Sequence, residues 1–292
     1  MAGKKMDCFS QYHPLVNFLF FLGAIGFTVV IQHPVYLATG FLGGAVYYLM
    51  LHGRKGLGMF WALLPMFLII SLINPLFNLG GLHVLFTVFG RPYTWESLCY
   101  GMVVAAMFLS MMVWFGCYNA VLTSDKFTAL FGSLIPSLSL LLVMILRMIP
   151  NFIRKAGQII GCRRCIGKGV SGEDRFKEKV ADGMTILSSL TDWALEGSVI
   201  TGDSMRARGY GTARRTSFQL YRMALRDWLL LGLELVLFLL VLLFADTAVE
   251  LVPALIIPPV NAAYLAYCAF FLIPIVLQIK ENLIWHISIS RI

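Results

Sequence analysis

Charged residues are scarce in this chain of 292 residues. They make up 13% of the sequence, whereas hydrophobic residues make up 59% and the mean hydropathy is +0.81. One soluble core of this length would not need so much apolar surface. The scarcity of charge excludes an ordinary soluble protein and predicts an integral membrane protein.

A disulfide framework, a metal site and a nucleotide-binding loop are also missing. The six cysteines are scattered. Cys162 and Cys165 have the spacing of a metal or redox pair, but no second Cys or His pair lies near them in sequence. Chance spacing and redox sensitivity, which the flanking arginines would favour, remain open.

Gly161 to Lys168 superficially suggests a phosphate-binding loop. Five residues separate Gly161 from Gly167-Lys168, whereas the motif has four between its first Gly and its Gly-Lys pair. Gly169 stands at the position where the motif has Ser or Thr. Hydrolysis of ATP, if it drives this protein, must therefore come from a partner, and no directly bound cofactor is expected.

Apolar runs predict about six transmembrane helices, since about 20 residues cross a hydrocarbon core of about 30 Å. No small-residue cleavage site follows the first run, so we expect it to remain as a helix. The predicted spans are residues 15–31, 34–51, 57–77, 98–118, 228–245 and 254–277.

Positive charge is concentrated between Arg147 and Arg226, which hold 15 of the 23 Lys and Arg residues against seven acidic residues. Lys and Arg are retained on the cytoplasmic side, so this block and both termini are predicted to be cytoplasmic. That orientation requires residues 127–149 not to cross, and Pro136 divides them into pieces too short to span.

Within the basic block, apolar residues recur with helical spacing over residues 152–160 and 184–197, and residues 167–174 predict the turn between these helices. The positive patch would attract an acidic protein surface or the lipid bilayer. Its aromatic residues are too sparse to form a stacking platform for nucleic acid. The predicted domains are membrane helices in 1–123, a cytoplasmic helical module in 124–226 and membrane helices in 227–292.

Several single residues carry local predictions. Asn74 and Pro75 should end or kink the third span. Glu96 can cap the helix N-terminus of the fourth span. Glu234 lies inside a span, where snorkelling or pairing with another polar group is expected.

Ala207-Arg208-Gly209 follows the second predicted helix of the block. An Arg followed by Gly is ordinary chemistry for a helix C-terminus. Small residues beside an Arg also let a partner's backbone approach while the guanidinium binds a carboxylate or a helix C-terminus. Spacing alone leaves both interpretations open.

Five motifs occur in a recognisable order: Asn74-Pro75-Leu76-Phe77, Glu96-Ser97-Leu98, Thr123-Ser124-Asp125-Lys126, Arg147-Met148-Ile149-Pro150 and Ser204 to Gly211. Through them, over residues 74–226, the chain resembles the transmembrane T component of energy-coupling factor (ECF) transporters. The resemblance implies an all-α integral membrane protein with about six transmembrane helices plus long amphipathic cytoplasmic coupling helices. Arg147, Pro150, Asn74 and Pro75 are then structural positions.

The resemblance also implies a non-catalytic scaffold in the plasma membrane of a prokaryote. Its partners would be two ABC-type ATPase subunits, which carry ATP and Mg²⁺, and one small membrane-embedded S component, which binds a vitamin or a transition-metal ion. Nucleic acid is not among the expected partners.

Two Ala-Arg-Gly motifs bind the ATPases in that family. Ala207, Arg208 and Gly209 match the second motif without change. The first falls at Cys165, Ile166 and Gly167, where Ile166 replaces the Arg. The residues that could supply the missing cation are Arg163, Arg164 and Lys168.

The alternative is a self-contained permease or membrane enzyme whose basic segment binds anionic lipid or nucleic acid. No buried charge pair, repeated half or metal constellation in the sequence marks a substrate path of its own.

Overall fold

The computed structural model describes residues 7–78, 83–88, 91–132, 136–167, 176–212, 221–245, 259 and 261–289. Helices dominate these residues. They are α1 (Pro14–Val30), α2 (Pro34–His52), α3 (Leu57–Phe77), α4 (Trp95–Val121), α5 (Ser124–Gly132), α6 (Pro136–Cys165), α7 (Phe176–Ala207), α8 (Leu225–Phe244) and α9 (Ala263–Ile289). Short 3-10 turns occupy Phe9–Gln11 and Gly53–Gly56.

The mostly helical structure agrees with the all-α prediction, but a short antiparallel hairpin that was not predicted precedes α4. Its strands are β1 (Val84–Val88) and β2 (Arg91–Thr94), with Val84 opposite Thr94 and an irregularity between Val84 and Phe86. The stretch is rich in β-branched and aromatic residues, which favour a pleated strand. The fold is therefore mostly helical but not purely so.

Four segments of the described chain are long and apolar enough to cross a membrane: Pro34–Phe77, Trp95–Val121, Leu225–Phe244 and Ala263–Glu281. The first contains both α2 and α3, and α1 is a shorter apolar helix. The last segment starts at Ala263 rather than at 254; residues 254–258 lie outside the described part. This composition is that of an α-helical membrane protein.

The chain forms two compact units. One comprises the residues up to Phe127 and those from Tyr221 onward, and the other comprises residues from Thr128 to Leu220. α1 to α4, α8 and α9 belong to the first unit, and α6 and α7 to the second.

Contacts between helix ends show that the helices of the first unit alternate in direction. The backbone N–H of His13 donates to Asp227 at the start of α8, and the N–H of Cys8 donates to Gln278 of α9 at 2.8 Å. At the opposite end, the ring of Tyr36 in α2 contacts Tyr264 in α9. Gly101 of α4 lies beside Ser71 of α3 and Gly116 beside Met59, so α3 and α4 are antiparallel as well. α1, α3 and α8 therefore run one way and α2, α4 and α9 the other.

The core of this unit is aromatic. Trp114 is fully buried and packs against Phe20, Tyr47 and Phe271, and its indole N–H donates to the carbonyl of Gly40 at 3.0 Å. A Cβ on Gly44 would meet the same indole at 2.9 Å. The absent side chain at Gly44 thus lets α2 lie directly on α4.

Asn74 and Pro75 lie in the last turn of α3, as their sequence predicts. The helix ends two residues after Pro75, and the Asn78 side chain donates to the Asn74 side chain at 2.7 Å. A Cβ on Gly101 would lie 2.7 Å from the carbonyl of Ser71 and 3.1 Å from Asn74 Cβ. The end of α3 therefore packs closely against α4 at Gly101.

Two local predictions were wrong. Thr94, not Glu96, caps α4, because the backbone N–H of Ser97 points to the Thr94 hydroxyl; Glu96 instead contacts the His83 ring nitrogen at 2.7 Å. Glu234 neither snorkels nor pairs: it is 3% exposed and neither of its carboxylate oxygens has a hydrogen-bond partner among the described residues. It faces into the helix packing on the same stripe as Asp227 and Leu230.

Candidate partner-binding site

The C-terminus of α7 is closed by Gly209. The Gly209 N–H donates to the carbonyl of Arg206 at 2.9 Å, and the Tyr210 N–H donates to the carbonyl of Met205 at 3.0 Å. Gly209 has a φ of +75°, which glycine adopts without steric cost. This pair of bonds is a Schellman motif, in which Ala207 is the last helical residue, Arg208 the C-cap and Gly209 the residue after it.

The end of α6 shares part of this arrangement. α6 ends at Cys165, Gly167 has a φ of +73°, and its N–H donates to the carbonyl of Arg164 at 3.1 Å. Cys165, Ile166 and Gly167 therefore occupy the positions that Ala207, Arg208 and Gly209 occupy in α7. The two motifs aligned from the sequence share the glycine with a positive φ and the hydrogen bond from its N–H.

The side chains at the two C-cap positions differ in chemistry. The Arg208 side chain is exposed, and its guanidinium makes no hydrogen bond or ion pair with the described residues. Ile166, which is 71% exposed, presents an apolar side chain at the equivalent point of α6. One helix thus ends in an available cation and the other in an available hydrophobe.

Arg163, one of the predicted substitutes for the Arg of the first motif, is paired within the chain. Its guanidinium forms an ion pair with Asp182 of α7, with side-chain exposures of 16% and 25%. Arg164, another predicted substitute, is exposed. Lys168, the third predicted substitute, lies outside the described residues.

A second contact fixes the direction of α6 against α7. The ring of Phe152 meets that of Trp193 edge-on at 5.5 Å, and the Lys155 ammonium lies over the same indole at 5.8 Å. Arg163 follows Phe152 by eleven residues on α6, whereas its partner Asp182 precedes Trp193 by eleven residues on α7. The helices are therefore antiparallel.

Antiparallel packing places the two C-caps at opposite ends of the pair. Asp182 lies near the end of α6, and Arg208 follows it by 26 residues on α7. At 1.5 Å per helical residue, the two C-caps are on the order of 40 Å apart. A single small partner domain would not contact both.

Apolar side chains of the second unit are widely exposed. Six of them have exposures between 57% and 68%: Ile153, Met184, Leu187, Leu195, Val199 and Ile200. Exposed apolar surface on this scale marks a site of contact with a protein or a membrane.

The other residues of α6 that the sequence singled out lie within the helix. Arg147 and Pro150 lie within the helix and are exposed, and the helix continues through Pro150. Residues 161–165 are helical, so Gly161 is not in a phosphate-binding loop. Cys162 and Cys165 are both exposed, and the described residues contain no group of three metal-ligating side chains.

A buried polar cluster in the first unit was missed by sequence reasoning, which gave Lys126 no structural role. The Lys126 ammonium donates to the Ser10 carbonyl, to the Ser10 hydroxyl at 2.8 Å and to the Val121 carbonyl at 3.1 Å. Asp7 accepts from the Tyr47 hydroxyl at 2.8 Å and from the Ser10 N–H at 3.1 Å. These bonds fasten the residues before α1 to α2 and α5.

Burial sets the ionisation of this cluster. It lowers the pKa of Lys126 to about 8, partly opposed by the charge of Asp7, and it raises the pKa of Asp7 above its ordinary value. The motif Thr123-Ser124-Asp125-Lys126 was the sequence signal, but only the fold shows that Lys126 is 5% exposed.

Comparison with models of known protein families finds no match to this chain, and comparison with curated protein sequences finds none either.

Proposed function

We propose that this chain is the transmembrane scaffold subunit of an ECF-type transporter. It couples ATP hydrolysis by two partner ABC-type ATPases to the uptake of a micronutrient, a vitamin or a transition-metal ion, held by a separate S component. The scaffold catalyses no reaction itself. The proposal rests on the resemblance of its motifs to the T component. One structural observation supports it most: the guanidinium of Arg208 is exposed at a glycine-closed helix end and has no partner among the described residues.

Arg208 combines three properties that a docking residue needs. Among the described residues, its side chain has no partner to give up on binding. Gly209 carries no side chain, and the φ of +75° turns the backbone away immediately after the Arg. A guanidinium can form two parallel hydrogen bonds with a carboxylate or bind carbonyl groups at a helix C-terminus. In this proposal Arg208 anchors one ATPase.

The distance between the two C-caps supports an arrangement with two ATPases. Because the caps are on the order of 40 Å apart, each would meet a different subunit. The pair of subunits would be bound unequally, since Ile166 offers only apolar contact at the α6 end. Closing of the ATPases on ATP would then move the ends of α6 and α7.

The alternating helices of the first unit support a six-crossing topology with both termini on the cytoplasmic side. Residues preceding α1 and the last turns of α9 lie at the same end of the bundle, where Cys8 meets Gln278 and Glu281. The exposed apolar side chains of α7 are then available to the S component or to the membrane surface.

The proposal is tested by replacing Arg208 with Glu in a strain or vesicle system that carries the chain with its ATPases. An Arg anchor in the centre of an interface is worth about 2 kcal/mol, so binding of the ATPases should weaken by roughly 30-fold. Uptake should fall with it. The measurements are recovery of the ATPases with the affinity-purified chain in mild detergent and uptake per molecule of ATP hydrolysed.

Arg206→Glu is the matched control. It makes the same charge change in the same turn, but Arg206 lies beside Asp203, 3.9 Å away, rather than at the cap. Its effect should be much smaller. An Arg208→Glu chain that retains its ATPases and transports normally would refute the proposal, as would purification of an active chain that has neither ATPase nor S component.

A further inference from the structure

A pocket of about 470 Å³ opens between α2, α3 and α4 in the first unit. Pro34 and Phe41 of α2, Phe67 of α3 and Met102 and Leu109 of α4 are among the side chains that line it. Its volume falls in the range of about 300–1,000 Å³ that is typical of binding sites for small molecules. None of the functions proposed for α6 and α7 uses it.

The lining excludes polar ligands. Cys99 is the most polar of the residues around the pocket, and no charged, amide or hydroxyl side chain is among them. Burying a polar group here without a hydrogen-bond partner would cost several kcal/mol. The occupant must therefore be a hydrocarbon along its whole buried length.

The pocket has the depth of one membrane leaflet. On α4 it extends from Cys99 to Leu109, ten residues or about 15 Å of helix. Pro34 is the first residue of α2, and Cys99 lies in the second turn of α4, so the pocket starts where these helices begin. Since the hydrocarbon core is about 30 Å thick, it reaches about the middle of the bilayer.

Trp95 marks the mouth of the pocket. It is the first residue of α4, one turn before Cys99, and it is 52% exposed. Exposed tryptophans gather at the level of lipid headgroups, because the indole has an apolar ring and a polar N–H. The pocket thus starts near the headgroups and continues into the acyl region.

The cross-section is too small for a helix. A volume of 470 Å³ spread over about 15 Å gives a mean cross-section of about 31 Å². A helix with its side chains is about 10–12 Å in diameter and needs more than twice that area. A single extended hydrocarbon chain is the occupant that fits.

We propose that this pocket binds one acyl chain of a membrane phospholipid. α2 and α3 both pack on α4, and between them the rings of Phe41 and Phe60 meet edge-on at 6.2 Å. The acyl chain fills the space that these three helices leave, and so it contributes dispersion contacts that the protein does not make itself. The bound lipid is part of the packing of the bundle.

The test uses phosphatidylcholine vesicles that contain the full chain and a trace of phosphatidylcholine with a photoactivatable diazirine in one acyl chain. After illumination, mass spectrometry locates the cross-links. Cross-links should concentrate on Met102, Val103 and Leu109 in preference to the exposed α3 residues Leu64 and Leu68, which face the lipid outside the pocket.

Ala106→Phe fills the pocket from α4, and Val103→Phe does so independently from the same helix. Either variant should lower cross-linking within the pocket by roughly tenfold, as expected when about 1.4 kcal/mol of binding is lost. Ala62→Phe is the matched control, because Ala62 is exposed on α3 and does not line the pocket. It should leave the cross-links unchanged.

Three outcomes would overturn the proposal. One is an even distribution of cross-links over Leu64, Leu68 and the pocket residues of the unaltered chain, which means contact with bulk lipid only. Another is undiminished cross-linking in a folded Ala106→Phe or Val103→Phe chain. The third is an equal loss of cross-links in the folded Ala62→Phe chain, whose substitution lies outside the pocket. None of them depends on ATPase binding, so the result is independent of the proposed transport function.

Discussion

The C-termini of α6 and α7 have a similar backbone conformation but carry different side chains. Both helices end in a residue of ordinary helical geometry, a C-cap and a glycine with a φ between +73° and +75°. At the C-cap, α7 has an exposed arginine and α6 an exposed isoleucine. Backbone geometry alone therefore does not make a docking site for a charged partner; the side chain at the cap decides which partner surface fits.

The two ends also differ in how they are held. Arg163, three residues before Ile166, is tied to Asp182 of α7 in a partly buried ion pair. Near Arg208, the corresponding pair of Arg206 and Asp203 is 3.9 Å apart with exposures of 86% and 70%. The α6 end is fixed to its neighbour, whereas the α7 end carries its charges free in solvent.

The largest effect is expected when the cap residue of one helix is replaced by the cap residue of the other. Arg208→Ile should weaken recovery of the ATPases by roughly 30-fold, because an interface arginine contributes about 2 kcal/mol. Ile166→Arg alone should leave recovery unchanged or improve it. If Arg208→Ile behaves like the unaltered chain, the difference between the caps has no role in binding. Recovery of each ATPase subunit with the purified chain measures both effects.

Alanine at the cap glycines should destabilise both helix ends by similar amounts. The positive φ of Gly167 and Gly209 costs an alanine about 1 kcal/mol. Gly161 and Gly202 are matched controls in the interiors of α6 and α7, where a Cβ would meet nothing within 4 Å and alanine should stabilise by about 1 kcal/mol. Amide hydrogen exchange of the last helical turns should show opposite signs for the two pairs.

The ion pairs near the two helix ends should also contribute unequally to stability. Asp182→Ala leaves the partly buried Arg163 guanidinium without its partner and should cost about 1–3 kcal/mol. Asp203→Ala removes an exposed contact and should cost about 0–1 kcal/mol. Hydrogen exchange along α6 and α7 measures both. Equal effects would show that Arg163 and Asp182 do not fasten α6 to α7.

Apolar runs predict most of the helices of the first unit. A run of about 20 apolar residues in lipid must satisfy its backbone hydrogen bonds within itself, and a helix does so. The hairpin before α4 was missed. Its signal was the run of β-branched and aromatic residues at Val84–Val88 followed by Arg91–Thr94. Missing it also hid the partner of Glu96, since His83 is brought to that carboxylate by the strand pairing.

Helix ends were predictable where glycine dictates them, but tertiary partners were not. Gly167 and Gly209 could be identified as caps from spacing. Arg163 is paired with Asp182, whereas Arg208 has no partner among the described residues. This difference depends on where Asp182 and Asp203 lie on α7, which sequence spacing does not give. The isolation of Glu234 has the same cause, because it depends on which side chains of neighbouring helices face it.

Thiol labelling gives the smallest and most local test. Cys165 and Ala207 are the last helical residues of α6 and α7, and both are exposed. In a chain with Ala207→Cys and without the neighbouring thiol of Cys162, maleimide should therefore label the two ends at similar rates when no partner is bound. Mass spectrometry of the two peptides measures the rates.

Adding the proposed ATPase partners should make the two labelling rates unequal. A partner that binds Arg208 covers the adjacent position 207, so labelling there should slow a few-fold, whereas Cys165 beside the apolar Ile166 should be protected less. The buried Cys117, which is 0% exposed, serves as the unreactive reference in the same spectra. Equal protection at both ends would mean that the ATPases bind the two caps alike. The backbone geometry common to α6 and α7 would then matter more for docking than the arginine that distinguishes them.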